Sequence, residues 1–112
     1  MNGSDATRFR GLIEARLTQI EEENALGRGG QSVVELDQQS VGRLSRMDAL
    51  QMQAMAVAQQ KRRDGAAMRL RQALTRLDED EYGYCEGCGE DIPLKRLELD
   101  LAATQCVSCA SG

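Results

Sequence analysis

All four cysteines of this chain fall in two short repeats, Cys85-Glu86-Gly87-Cys88 and Cys106-Val107-Ser108-Cys109, with seventeen residues between them. A C-x-x-C spacing lets one tight turn present two sulfurs to a single ion, and the longer interval lets the chain loop round with two more. The pattern is that of a structural site with four thiolate ligands, Cys85, Cys88, Cys106 and Cys109, holding one zinc ion. Gly89 supports it, because a residue free to take positive φ lets the backbone turn back after Cys88.

Other uses of two C-x-x-C pairs fit less well. Disulfides need an oxidising compartment, and the chain opens without an apolar signal segment. A redox C-x-x-C ordinarily follows a strand in a βαβ unit, and no such pattern precedes either pair. Iron also accepts four thiolates, and spacing alone does not separate it from zinc. Zinc is favoured because nothing else in the chain suggests electron transfer.

The 112 residues allow one domain, or one small module with an extension. Aromatic residues are 3% of the chain and tryptophan is absent, whereas Ala, Leu, Met, Arg, Gln and Glu are abundant, a helix-forming composition. No apolar run approaches the roughly 20 residues that cross a bilayer. The expectation is a soluble, cytoplasmic monomer without a membrane partner. A finger of about 30 residues has too little apolar surface to fold alone, so the metal would supply much of its folding free energy.

The net charge of −4 is unevenly spread. Residues 78–112 carry nine acids against Lys95 and Arg96, a balance of −7, while residues 1–77 carry twelve basic residues against nine acids, a balance of +3. Four thiolates around Zn²⁺ would make the finger more negative still. Such a finger is repelled by phosphate backbones, which weighs against direct reading of promoter DNA.

These features predict a mainly α fold: an antiparallel, coiled-coil-like helical hairpin over residues 1–81 and a small C-terminal four-cysteine zinc finger over 82–112. Phe9, Leu12, Ile13, Leu17 and Ile20 fall at helical steps and predict a helix over about residues 5–26, ending at Gly27-Arg28-Gly29-Gly30. A loop over about 27–40 follows, and its Val33, Val34 and Leu36 are apolar enough to fold back or to meet a partner. Asp37 or Ser40 caps the second helix, expected over about 41–81. At about 1.5 Å per residue its 40 or so residues reach about 60 Å.

Along that helix Val41, Leu44, Met47, Leu50, Ala54 and Val57 form one predicted apolar stripe, and Ala67, Leu70, Leu74 and Leu77 form another. Between them Gln59–Asp64 lacks any apolar residue, and Asp64-Gly65 is turn-like. An exposed waist or a kink is expected there, with Lys61, Arg62 and Arg63 on a solvated face. The methionines are read as adaptable packing in a thin two-helix core. The acidic run Asp78-Glu79-Asp80-Glu81 opposes the helix dipole at this end.

Catalysis finds little support. The chain has no histidine, which excludes Ser-His-Asp, Cys-His and Cys₂His₂ arrangements. Four thiolates close the coordination shell that a catalytic zinc keeps open. Gly27–Gly30 lacks the spacing and the preceding strand of a phosphate loop. The expectation is a protein that is not an enzyme.

The finger resembles that of the DksA/TraR family of bacterial transcription regulators. The likeness is carried by Asp78 through Gly89, by Ile92, by Arg96-Leu97 and by Cys106-Val107-Ser108-Cys109, with a long helix leading into the first cysteine pair. It is specific over roughly residues 65–110 and architectural over 1–64. The resemblance implies a hairpin that enters the secondary channel of RNA polymerase and modulates initiation without reading promoter DNA, with ppGpp an indirect potentiator. It also implies a hairpin tip bearing Asp-x-x-Asp-x-Ala. The nearest match is Asp37-Gln38-Gln39-Ser40-Val41-Gly42, with Ser40 for the second acid and Gly42 for the alanine, and a second candidate is Asp48 beside Ala49. No counterpart of the N-terminal globular segment of longer members is expected from these residues. Two further readings are a structural zinc-binding adaptor for another protein and a nucleic-acid-binding zinc ribbon.

Overall fold

A computed structural model of the chain describes the backbone at residues 1–36 and 43–111 and the side chains at residues 1–27 and 46–111. Four helices appear in it, α1 (Gly3–Leu36), α2 (Arg43–Asp78), α3 (Leu94–Leu99) and α4 (Val107–Ser111), and no strand is formed among the described residues. The residues group into two compact units. One comprises Met1–Leu17 with Met68–Gly112, and the other comprises Thr18–Ala67.

In the first unit the buried side chains are Phe9 and Ile13 of α1, Leu70, Ala73 and Leu77 of α2, and Tyr82, Cys85, Ile92, Leu97 and Ala103 beyond it. Phe9 meets Tyr82 with ring centroids 5.9 Å apart in a tilted arrangement, the geometry aromatic quadrupoles favour. Arg10 pairs with Asp78 and Arg8 with Glu98, both at exposed positions where an ion pair contributes little. Leu12, placed on the apolar stripe by its sequence position, is 42% exposed.

In the second unit α1 and α2 form a hairpin whose facing positions alternate steps of four and three. Ile20 is buried and Asn24 and Gly27 are half-buried on α1; on α2, Ala49, Gln53, Ala56, Gln60 and Arg63 are half-buried and Ala67 is buried. This 3.5-residue spacing is that of a left-handed coiled coil. The predicted α2 stripe is on another face: Met47 is 62% exposed, Leu50 51% and Val57 39%, and Ala54 is also exposed. Met52, Met55 and Met68 are exposed as well, so the methionines do not fill the core. Val41 lies outside the described residues, as does the side chain of Leu44.

Three expectations about the helices are corrected. α1 does not stop near residue 26 but passes through Gly27 to Leu36, which converts part of the expected 27–40 loop to helix. A Cβ at Gly27 would lie 2.7 Å from Arg63 Nη2, so this glycine admits the guanidinium from the facing helix rather than capping its own. α2 begins at Arg43 and runs without interruption through Asp64-Gly65, so the expected waist is ordinary helix. Within it Lys61 and Arg62 are exposed, but Arg63 turns inward and its Nε donates to Asn24 Oδ1 at 2.7 Å. Finally, α2 ends at Asp78, not Glu81. Asp80 takes φ 59°, the Glu81 N–H donates to the Arg76 carbonyl at 2.8 Å, and the Asp80 N–H donates to the Leu77 carbonyl at 3.3 Å. This is a Schellman closure, with aspartate in the left-handed position that glycine usually fills.

Truncating Phe9, which is fully buried, to alanine is expected to cost about 3–5 kcal/mol. Leu12→Ala is expected to cost about 1 kcal/mol or less. Urea unfolding of the zinc-loaded protein measures both, and equal losses would contradict the burial pattern.

Candidate metal centre

The chain leaves α2 through its Schellman turn and reaches Cys85 after four more residues. The first cysteine pair is held by a local ladder: the Cys85 N–H donates to the Glu90 carbonyl at 2.8 Å, the Gly89 N–H to the Cys85 carbonyl at 2.9 Å, and the Ile92 N–H to the Gly83 carbonyl at 2.7 Å. A single antiparallel bridge joins Tyr84 to Asp91. Gly89 has φ 76°, the left-handed turn its position after Cys88 predicts.

The second pair straddles the start of α4, whose first turn is closed by the Ala110 N–H on the Cys106 carbonyl at 2.9 Å. α3 follows Pro93 and buries Leu97, while Leu99 is 90% exposed and Leu94 is exposed too. Of the finger's apolar side chains Ile92, Leu94, Leu97, Leu99 and Leu101, Ile92 and Leu97 are buried and Leu101 is half-buried. Tyr82 supplies what the leucines do not: its ring is buried against Phe9 and its hydroxyl donates to the Leu101 carbonyl at 2.7 Å. The Glu86 N–H donates to the Thr104 carbonyl at 2.8 Å and so joins the segments carrying the two pairs.

These contacts bring the Sγ atoms of Cys85, Cys88, Cys106 and Cys109 within 4.8 Å of one another. A tetrahedral zinc with bonds of about 2.3 Å places its sulfurs about 3.8 Å apart. The Cys88 and Cys106 sulfurs stand at 3.8 Å. Donor set, count and spacing all fit one closed-shell structural zinc ion. Gly87 adds an N–H donor to the Cys85 sulfur at 3.3 Å.

The four thiols are not equivalent. Backbone N–H groups, that of Cys106 foremost and that of Cys88 next, hold the Cys85 thiol down to about 6. Hydrogen bonds with neighbouring sulfurs, that of Cys85 first, push Cys109 up to about 12. Thiols this close do not all ionise on their own, and a divalent cation is what allows it.

Of the other candidate residues, Asp48 is exposed on α2, and Asp37 and Ser40 lie outside the described residues. Arg76 and Arg96, not singled out as site residues by sequence reasoning, both reach carbonyls beside the cysteine pairs. The signal shared by both is a place in the last turn of a helix, Arg76 in α2 and Arg96 in α3, where basic side chains bond to free carbonyls.

A hairpin joined to a finger of four clustered thiols defines the class: a C4 zinc-finger protein built on paired helices. Comparison with known proteins narrows it. Residues 80–112 match the prokaryotic dksA/traR C4-type zinc finger family. A 36-residue segment, 32% of this chain, is 47% identical to the Haemophilus influenzae protein named RNA polymerase-binding transcription factor DksA and spans 25% of that relative's length. The Escherichia coli protein of the same name is 23% identical over 97% of this chain and 71% of its own. The fold matches that of transcription factor DksA2 from Pseudomonas aeruginosa with a TM-score of 0.87 at 22% identity, over 99% of this chain and 84% of that one. The finger is thus similar to those of the dksA/traR family, and the fold is that of DksA2.

Two outcomes follow for the metal centre. Chelation is expected to release one zinc per chain and abolish amide protection at Cys85, Gly89 and Ile92, whose N–H groups close the first turn. Because protons compete for the thiolates, zinc retention is expected to weaken from about pH 8 to about pH 5, read by metal content after dialysis.

Tyr82 gives an alkaline signature. Burial first, then the Asp100 carboxylate, pushes its phenol from 10.0 up to about 12, against an opposing effect of Arg76. The folded state therefore holds this proton more tightly than the unfolded chain. Its contribution is intact below pH 10 and lost as pH rises from 10 towards 12. Tyr82→Phe is expected to cost about 1 kcal/mol at neutral pH and to flatten the alkaline loss of stability. Unfolding curves across that range measure it.

Proposed function

We propose that this chain is a transcription regulator that binds RNA polymerase and is not an enzyme. The observation that carries the reading is its likeness, along nearly its whole length, to a protein named for polymerase binding, together with the family match of the finger at residues 80–112. The four-thiolate centre supports a structural role for the metal, since it offers substrate no open ligand position.

The finer reading is entry of the hairpin into the polymerase secondary channel, with initiation altered and promoter DNA left unread. The acidic balance of residues 78–112 supports the second part, because that charge disfavours a phosphate backbone. Asp37 and Ser40 would stand at the tip and Asp48 on the flank of α2. A cytoplasmic monomer is the form proposed to act, with ppGpp as an indirect potentiator. No described helix is long and apolar enough to cross a membrane.

Purified bacterial RNA polymerase tests the proposal. Saturable binding is expected, with displacement by other secondary-channel factors and little loss as salt rises. Asp37→Ala is expected to bind but to lose its effect on initiation. Failure of the wild-type chain to bind overturns the function, and an Asp37→Ala protein that acts unchanged overturns the tip.

A further inference from the structure

The two cysteine pairs come from segments seventeen residues apart, and each is entered through a peptide bond gripped by an arginine. Arg76 Nη2 donates to the Tyr84 carbonyl at 2.9 Å and to the Glu81 carbonyl at 3.3 Å. Arg96 Nε donates to the Gln105 carbonyl at 2.8 Å. Tyr84 immediately precedes Cys85, and Gln105 immediately precedes Cys106. Each bond therefore falls on the peptide plane whose N–H belongs to the first cysteine of a pair.

The Cys85 N–H is itself engaged: it donates to the Glu90 carbonyl at 2.8 Å, which fixes its peptide plane from both ends. The Arg76 side chain is only 13% exposed and its Nη1 also lies 3.7 Å from Glu86, the residue after Cys85. A planar guanidinium can serve Tyr84, Glu81 and Glu86 at once, which a lysine ammonium on a flexible stem does poorly.

We propose that Arg76 and Arg96 are positioning residues of the zinc site, each locking the peptide that carries the first cysteine of one pair. They touch no metal. Their effect is to hold two sulfur pairs from distant segments at the spacing the ion needs, so that little order must be gained on binding or lost before release. The proposal rests on the assignment of the four cysteines to zinc and is independent of polymerase binding.

The test uses the full chain and two readouts, the rate of zinc transfer to a chromogenic chelator and the thiolate-to-metal absorption of the cobalt-substituted protein. The variants are Arg76→Ala, Arg96→Ala, Arg76→Lys and Arg96→Lys. Arg8→Ala is the control, because it removes the ion pair to Glu98 without touching a carbonyl beside a cysteine. Each alanine variant is expected to release zinc about 10-fold faster or more and to broaden the cobalt bands. Arg96→Lys, with one acceptor to reach, is expected to recover most of the wild-type rate, and Arg76→Lys, with several, little of it. The control is expected to match wild type. Wild-type rates in both alanine variants, or equal acceleration by Arg8→Ala, would overturn the proposal. If an alanine variant does not fold, identical release from wild type and Arg76→Lys overturns it for Arg76. A wild-type chain that binds no zinc removes the metal assignment and this proposal together.

Discussion

Four sulfurs within 4.8 Å of one another are the constraint on which the finger depends. Two thiolates about 4 Å apart repel by about 4 kcal/mol even at an effective dielectric of 20, so four cannot ionise together without a cation. With Zn²⁺ among them the repulsion becomes a closed set of bonds. Little else could hold these turns. Beyond α2 the finger buries Tyr82, Cys85, Ile92, Leu97 and Ala103, and its one bridge, Tyr84 to Asp91, is isolated.

Everything within the first unit converges on keeping that cluster in register. The left-handed Asp80 closes α2 and frees the chain to turn towards Cys85. Tyr82 is packed by Phe9 and tied to Leu101 by its hydroxyl. Arg76 and Arg96 then bond to the carbonyls beside the cysteines. The polar contacts are backbone carbonyls met by side-chain donors, which suits a segment too short to satisfy its carbonyls through helix or sheet.

The second unit is held by different means. Its seam is thin, with Ala49, Ala56 and Ala67 alternating with Gln53, Gln60 and Arg63, and Arg63 is bonded to Asn24. Small and polar residues there leave the larger apolar side chains outside, with Met47, Leu50, Met52, Met55 and Val57 all exposed.

The finger was readable from the chain because cysteine spacing is a covalent fact: two C-x-x-C pairs can satisfy one ion almost regardless of what surrounds them. Mainly helical character followed from composition, and so did the apolar positions Phe9, Ile13, Ile20, Leu70 and Leu77, which are buried as their periodicity predicts. Tertiary contacts decided the rest. Gly27 reads as a helix stop, yet the arginine packed over it makes it part of the seam. Met47, Leu50 and Val57 read as core, yet the facing helix lies against Ala49, Gln53 and Ala56, because a close two-helix seam selects small side chains over hydrophobic ones. The sequence gives Arg76 and Arg96 no role at the cysteines, because only the fold brings the carbonyls beside them within reach. Local spacing determines what a chain can ligate and where it coils, while the choice of seam and of clamp belongs to partners far apart in sequence, which only the folded chain brings together.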